Sequence, residues 1–205
     1  MSPIDKQKSI FFKFLSIFSV VRIYNILIIV LAQYLTSIFI LSDKKLFDVI
    51  FDFNLFLLIL CSSLSIASGY IINNFYDQKK DIINKPIKSK IDDVVKKSTK
   101  LYFYFILNFV VIFFASIISL KAVIFFSVYI FFLWFYSHKL KRILFLGNLF
   151  YSLLTITPFF AILLYYKNID SIIAAYALFL FFILLLKDIT KDLKNLVGDF
   201  TENYQ

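Results

Sequence analysis

The sequence predicts an all-α, polytopic membrane helix bundle with six transmembrane helices and both termini on the cytoplasmic side. Three observations predict it. Apolar residues make up 61% of the 205, against roughly 45–50% in soluble domains. The charged residues, 17% of the chain, gather into a few short stretches and leave apolar runs of membrane-spanning length between them. Only three glycines and three prolines occur, too few for the turns of a β-barrel, so the spans must be helical. This composition also excludes a water-soluble single domain and a disulfide-stapled or collagen-like chain. Cys61, the lone cysteine, sits inside an apolar run and reads as packing. The 28 phenylalanines, beside abundant Ile, Lys and Asn, match what an AT-rich coding sequence yields, so aromatic richness by itself marks no ligand pocket.

The first span, near 16–41, begins after Lys13 and is too long for a removable signal peptide. The second, near 55–76, runs into the polar text INNFYDQKKDIINKP (72–86). The third and fourth, near 101–120 and 122–137, are separated only by Lys121, which predicts a tight helical hairpin. The fifth, near 143–166, follows the basic KLKR, and the sixth, near 169–186, runs out into KDITKDLKNLVGD (187–199). Residues 1–205 are expected to form one membrane domain.

Orientation follows from Lys and Arg, which are retained on the cytoplasmic side. With Arg22 left inside the first span, alternate loops hold seventeen basic residues on one side and four on the other, the four being Lys44, Lys45, Lys121 and Lys167. That bias places both termini in the cytoplasm and the chain as a multi-pass protein of the cell inner membrane. The net charge of +9 then reflects topology and attraction to anionic headgroups, and no nucleic-acid partner is expected.

The acidic residues are informative where they follow the second and sixth spans. If the helix continues past the membrane, Asn73, Asp77 and Asp81 fall within about 80° of one another. Asp188, Asp192, Asn195 and Asp199 fall within roughly 60°. Two carboxylate stripes on one side of the membrane repel unless cations lie between them, and hard oxygen donors suit Mg²⁺, which keeps room for phosphate oxygens. The pattern reads as a diphosphate clamp with Lys141, Arg142, Lys187 and Lys191 as outer phosphate contacts. The competing reading of each stripe is a solvated helix end.

At these residues the chain resembles the UbiA superfamily of intramembrane prenyltransferases, from about residue 14 to 200. The first stretch resembles its N-D-x-x-D-x-x-x-D motif, with Asn73, Asp77 and Asp81 matching and Asn74 where Asp is expected. The second resembles the K-D-x-x-D-x-x-G-D form of its later motif, with Lys191, Asp192, Gly198 and Asp199 matching and Asn195 replacing an Asp. YSHKLKRILFLGN (136–148) resembles the family's Y-S…K-R…G-N loop, and RIYN (22–25) its R-x-x-N.

The resemblance implies Mg²⁺-dependent transfer of a prenyl group from a polyprenyl diphosphate to a membrane-associated acceptor. Its catalytic residues would be Asp77, Asp81, Asp192 and Asp199. The metal would be held by these four with Asn73 and Asp188, and the diphosphate by Arg22, Asn25, Asn73, Lys141, Arg142, Lys187 and Lys191. Tyr24, Phe75, Tyr76 and Tyr136 are candidate aromatic faces for allylic cation character. Within the family the text is most similar to the branch that prenylates geranylgeranylglyceryl phosphate for ether-lipid synthesis. Alternatives are an aromatic, quinone-precursor acceptor, or a truncated non-catalytic remnant or membrane subunit. Asn74 and Asn195 imply fewer charges for metal, and the family's closing helices are expected to be missing, so that a partner chain or self-association completes the bundle. An ion-coupled transporter would instead show ionisable groups at mid-membrane. A CDP-alcohol phosphotransferase would need a glycine beside its leading Asp. His138, the only histidine, reads as an interfacial residue.

Overall fold

The computed structural model describes residues 3–143, 145–168 and 170–194, with side chains from residue 12 onward. Asn195, Gly198 and Asp199 of the second acidic stretch lie outside the described residues. All regular structure among the described residues is helical.

Helix α1 (Pro3–Val21) leads into α2 (Ile23–Thr36), which ends in a wider turn over Ser37–Leu41. A short α3 (Leu46–Ile50) precedes α4 (Phe53–Asn84), and α5 (Pro86–Asp92) follows it. Then come α6 (Lys97–Ile118), α7 (Leu120–His138), a single tight turn over Leu140–Arg142, α8 (Leu146–Tyr166) and α9 (Ser171–Lys194). Six of these stretches are long and apolar enough to cross a membrane, led by Ile23–Leu41 and Phe53–Asn84.

Three boundaries differ from the sequence reading, each for a local reason. The first span breaks at Arg22, which adopts a left-handed conformation (φ 52°, ψ 52°) that a non-glycine residue takes only when its surroundings impose it. The α6–α7 hairpin turns at Ser119 rather than Lys121. Ser119 is extended, and its hydroxyl accepts the Ala122 amide at 3.1 Å, capping α7. The second span runs on through Asn84, so Asn73, Asp77 and Asp81 all lie within one helix.

Helix α4 is the axis of the bundle, packing against α1, α2, α5, α6, α7 and α8. In its most apolar stretch 72% of residues are buried, against 6% in α9, which packs on α8. Small residues make the central position possible, as in lipid generally. Ser62, Ser65 and Ser68 return their hydroxyls to carbonyls of their own helix. A Cβ on Gly69 would lie 3.1 Å from the Leu133 side chain of α7.

Pro158 interrupts the ladder of α8, since it has no N–H for the Leu154 carbonyl. The Tyr129 hydroxyl of α7 donates to that carbonyl at 3.1 Å. The amide of Gln33 on α2, wholly buried, donates to the Pro158 carbonyl at 3.0 Å.

Beyond α4 the chain doubles back as a strap, α5, fastened by one buried carboxylate. Asp92, 1% exposed, accepts from Ser19 of α1 at 2.7 Å, from Asn74 of α4 at 3.0 Å and from Lys88. Its main-chain oxygen accepts from Ser16 at 3.1 Å. Lys100 of α6 donates to the Asn74 carbonyl oxygen at 2.8 Å. Four helices are tied at this point.

Candidate active site

Helices α2, α4, α7, α8 and α9 enclose a cavity of about 550 Å³. Its mouth is polar. Asn73, Asp77 and Asp81 line it from α4, and Asp188 and Asp192 line it from α9, so the two acidic stretches face each other across one space. Helical phase explains the α4 side, because residues four apart share a face. Deeper in, the lining becomes Ile29, Ile66, Leu133 and Leu154.

The turn after α7 and the start of α8 bridge the two sides. Lys141 donates to Asn73 Oδ1 at 3.2 Å and to Asp77 Oδ1 at 2.5 Å. Asn148 donates to Asp188 Oδ2 at 3.1 Å and to Asp192 Oδ2 at 2.6 Å. Gly147 lets these two residues approach, since a Cβ there would stand 3.2 Å from both the Cα and the carbonyl oxygen of Lys141. Lys191 donates to Asp188, lies 3.7 Å from Asp192, and holds its ammonium 4.7 Å above the Tyr151 ring. Lysine ammonium groups thus sit against the carboxylates of both stripes and offset their repulsion.

Arg22 reaches the mouth from the helix break, its guanidinium 5.0 Å above the Tyr70 ring. Lys85, at the end of α4, also lines the mouth and lies 3.6 Å from Asp81. Burial pushes its ammonium below the usual lysine range; Asp81 partly offsets this, and Arg22, Lys191 and Lys88 add to the lowering.

The other sequence candidates fall elsewhere. Lys187 and Arg142 are exposed and outside the cavity lining. Asn25 is exposed, with its amide 3.5 Å from the Tyr70 hydroxyl. Of the aromatic candidates Tyr136 lines the cavity, whereas Tyr24 is 73% exposed and Phe75 and Tyr76 pack in a separate apolar cluster with Val20 and Tyr104. Asn74, where the motif expects a carboxylate, turns to the strap and not to the cavity.

Sequence reasoning missed Tyr70 and Tyr151 as cavity residues and named Asn148 only as the end of the G-N pattern, without a role. Tyr70 lies three residues before Asn73 and Tyr151 three after Asn148, so helical spacing was the available signal for the two tyrosines.

The donor set suits a hard divalent cation. Among the described residues no three carboxylate, histidine or cysteine groups converge on a single point. Each wall offers two carboxylates, the α4 wall with the Asn73 amide oxygen beside them, and Mg²⁺ is usually held by that few protein ligands together with phosphate oxygens. Asn73, Asp77 and Asp81 on one wall and Asp188 and Asp192 on the other are the residues that fit.

Six candidate membrane-spanning helices, with aspartate-bearing helix ends opposed across a polar-to-apolar cavity, define the class as a helical membrane protein with a site between its helices. The chain matches the UbiA prenyltransferase family over residues 16–205 and belongs to that family.

Its relatives include digeranylgeranylglyceryl phosphate synthases of Thermococcus gammatolerans, 30% identical over 146 residues (71% of this chain, 52% of the relative), and Methanosphaera stadtmanae, 30% identical over 155 residues (75% and 56%). The synthase of Sulfurisphaera tokodaii is 26% identical over 188 residues, or 90% of this chain and 65% of the relative. The chain spans about half the length of the first two of these curated relatives. A solved structure from work on digeranylgeranylglyceryl phosphate synthase in membranes shares the fold, with a TM-score of 0.65 at 23% identity over 94% of this chain and 67% of that one.

Proposed function

We propose that this chain binds a polyprenyl diphosphate and transfers its prenyl group to a membrane-associated acceptor, geranylgeranylglyceryl phosphate in ether-lipid synthesis. The observation that carries the reading is the cavity with opposed carboxylates and lysines at its mouth and apolar walls at depth. A diphosphate matches the first part and an isoprenoid tail the second.

Asp77, Asp81, Asp188 and Asp192, with Asn73 as a neutral co-ligand, are the described residues that would hold Mg²⁺; Asp199 is assigned from sequence alone. The ion supplies charge neutralisation for a departing diphosphate. Lys141 and Lys191 exchange carboxylate for phosphate oxygens as the donor enters, and Arg22 and Lys85 close over the anion. The allylic C–O bond breaks with its electron pair leaving on the diphosphate. The faces of Tyr70, Tyr136 and Tyr151 stabilise the allylic cation, each worth up to about 2 kcal/mol when desolvated. The acceptor hydroxyl then attacks the allylic carbon and gives up its proton to the departed diphosphate as the ether forms. The seventeen-to-four distribution of basic residues supports a cytoplasmic mouth in the inner membrane.

The test is transfer of labelled geranylgeranyl groups in membranes containing this chain, with and without Mg²⁺, against geranylgeranylglyceryl phosphate and aromatic acceptors. Mg²⁺-dependent product on geranylgeranylglyceryl phosphate is expected. Product on aromatic acceptors alone would overturn the choice of acceptor, and no product from stably inserted chain would overturn the activity.

A further inference from the structure

The strap α5 presents an apolar face that the described helices leave uncovered. Its inner side, Ser89 and Asp92, is buried where α5 packs on α1 and α4. On the opposite side Ile87, Ile91 and, in the turn that follows, Val94 are 77%, 42% and 43% exposed. At 100° per residue these three fall within about 60° of one another. On this segment the cavity lining ends at Lys85 and includes no residue of α5, so the face looks outward from the bundle and not into the mouth.

The depth of that face in a bilayer follows from α4. From Phe53 to Asn74 the helix rises through twenty-one residues, about 31 Å at 1.5 Å per residue, which is the thickness of a hydrocarbon core. Asn74 therefore stands at the boundary between hydrocarbon and headgroups. Asp92 is fastened to it at 3.0 Å, and Lys100 of membrane-spanning α6 at 2.8 Å, so the strap's lower end and a second span share that level. Ile87 is five residues from Asp92, at most about 8 Å along the helix axis. A headgroup layer is about 5–8 Å deep on each side of the core, so the row stays within it or at its edge however the strap is tilted. The surroundings are basic: Lys90 stands beside the row, Lys96 and Lys97 follow it, and all three are exposed. Asp93 is turned inward instead, accepting from Gln78 at 2.8 Å and lying 4.0 Å from Lys100.

We propose that α5 is a docking face for anionic lipid headgroups, in which Ile87, Ile91 and Val94 sink into the interfacial layer and Lys90, Lys96 and Lys97 meet lipid phosphates. An apolar row flanked by lysines, held at headgroup depth on the outside of a bundle, has the make-up of a segment that lies in the membrane surface. The charge complementarity is that of basic side chains against anionic lipid, worth about fivefold in occupancy for each lysine near the surface. The proposal does not depend on the prenyl-diphosphate reading of the mouth.

The test places the full chain in lipid nanodiscs of phosphatidylcholine, with or without phosphatidylglycerol. With the wholly buried Cys61 changed to Ser, Ile87→Cys and Ile91→Cys are each labelled with a polarity-sensitive fluorophore. Quenching by aqueous acrylamide and by lipid spin-labelled near the headgroup reads where the label sits. In anionic discs the label is expected to be quenched by the lipid and shielded from acrylamide. Neutral discs should lose much of that shielding, and Lys90→Gln, Lys96→Gln and Lys97→Gln should each lower the ratio of docked to undocked strap in anionic discs about fivefold. A label open to acrylamide at both positions in anionic discs overturns the proposal, as does shielding that ignores both lipid charge and the three lysines. Shielding seen in native membranes but lost in discs of pure lipid would put a protein on this face and overturn it too. If Ile91→Cys does not insert, Ile87→Cys, at the most exposed position of the row, carries the test.

Discussion

The two ends of α4 both present aspartates, and the fold treats them in opposite ways. At the far end Asp52 caps the helix, accepting the Asn54 and Leu55 amides at 3.1 and 3.2 Å. The Tyr165 hydroxyl donates to it at 2.8 Å, and Lys44 lies 3.8 Å away. At the near end Asp77 and Asp81 line a cavity and face lysines, cations that an anionic ligand would also attract. The first carboxylate is held by the helix's own amides, which have no other partner in the first turn. The second pair is held by side chains with somewhere else to go. Availability, not residue type, separates the structural aspartate from the candidate ligands.

Exchanging charge for a neutral isostere at each end sharpens that contrast. Asp77→Asn leaves an acceptor for Lys141 but removes the charge, and transfer is expected to fall about 10²–10³-fold with insertion unchanged. The labelled-geranylgeranyl assay checks it, and wild-type activity would remove Asp77 from the site. Next in size is Asn74→Asp, which restores the motif's usual residue yet places a carboxylate beside buried Asp92. The expected outcome is a loss of about 2 kcal/mol in stability, because the amide donor to Asp92 is replaced by a like charge that Lys100 offsets only in part. Adding Asp92→Asn should recover most of it in a thermal melt. Asp52→Ala is smaller, about 1 kcal/mol for a lost N-cap, with transfer kinetics unaltered in the chain that remains folded.

The smallest effect is electrostatic. Lys85 is expected to titrate below free lysine, read by NMR of the isotope-labelled ammonium. Since Asp81 raises this value against the lowering by burial, Asp81→Asn should move the midpoint lower still. The sign for stability follows: protonated Lys85 costs the folded state, so the cost fades as pH rises from the folded value toward that of free lysine. An Asp81→Asn midpoint that rises would show that the pair is not coupled as described.

Much of the architecture was legible because apolar length and charge spacing are one-dimensional properties. The six spans and the alignment of Asn73 with Asp77 and Asp81 follow from counting residues. The same counting places Asn74 a further 100° round the helix, which is why its side chain meets the strap and its change from Asp removes no carboxylate from the cavity lining. Lys187 is likewise one residue out of phase with Asp188, and charge without phase made it a candidate. The break at Arg22 was not legible, because arginine carries no signal for a left-handed backbone and apolar residues flank it on both sides. Nor was the role of Pro158, which lies in a carbonyl it vacates and a tyrosine twenty-five residues earlier that fills the vacancy.

The return of the chain at Gly147 has a consequence for what the mouth can measure. Lys141 reaches the α4 wall and Asn148 the α9 wall, and the glycine fixes how far apart those two reach. This stretch of backbone acts as a caliper. On the proposed function, an anion long enough to touch both jaws would be told apart from one that touches a single jaw, and discrimination of diphosphate from monophosphate would reside in a residue with no side chain. Widening the gauge by Gly147→Ala should erode the binding preference for a prenyl diphosphate over the matching monophosphate. A preserved ratio would place that discrimination in the charges alone.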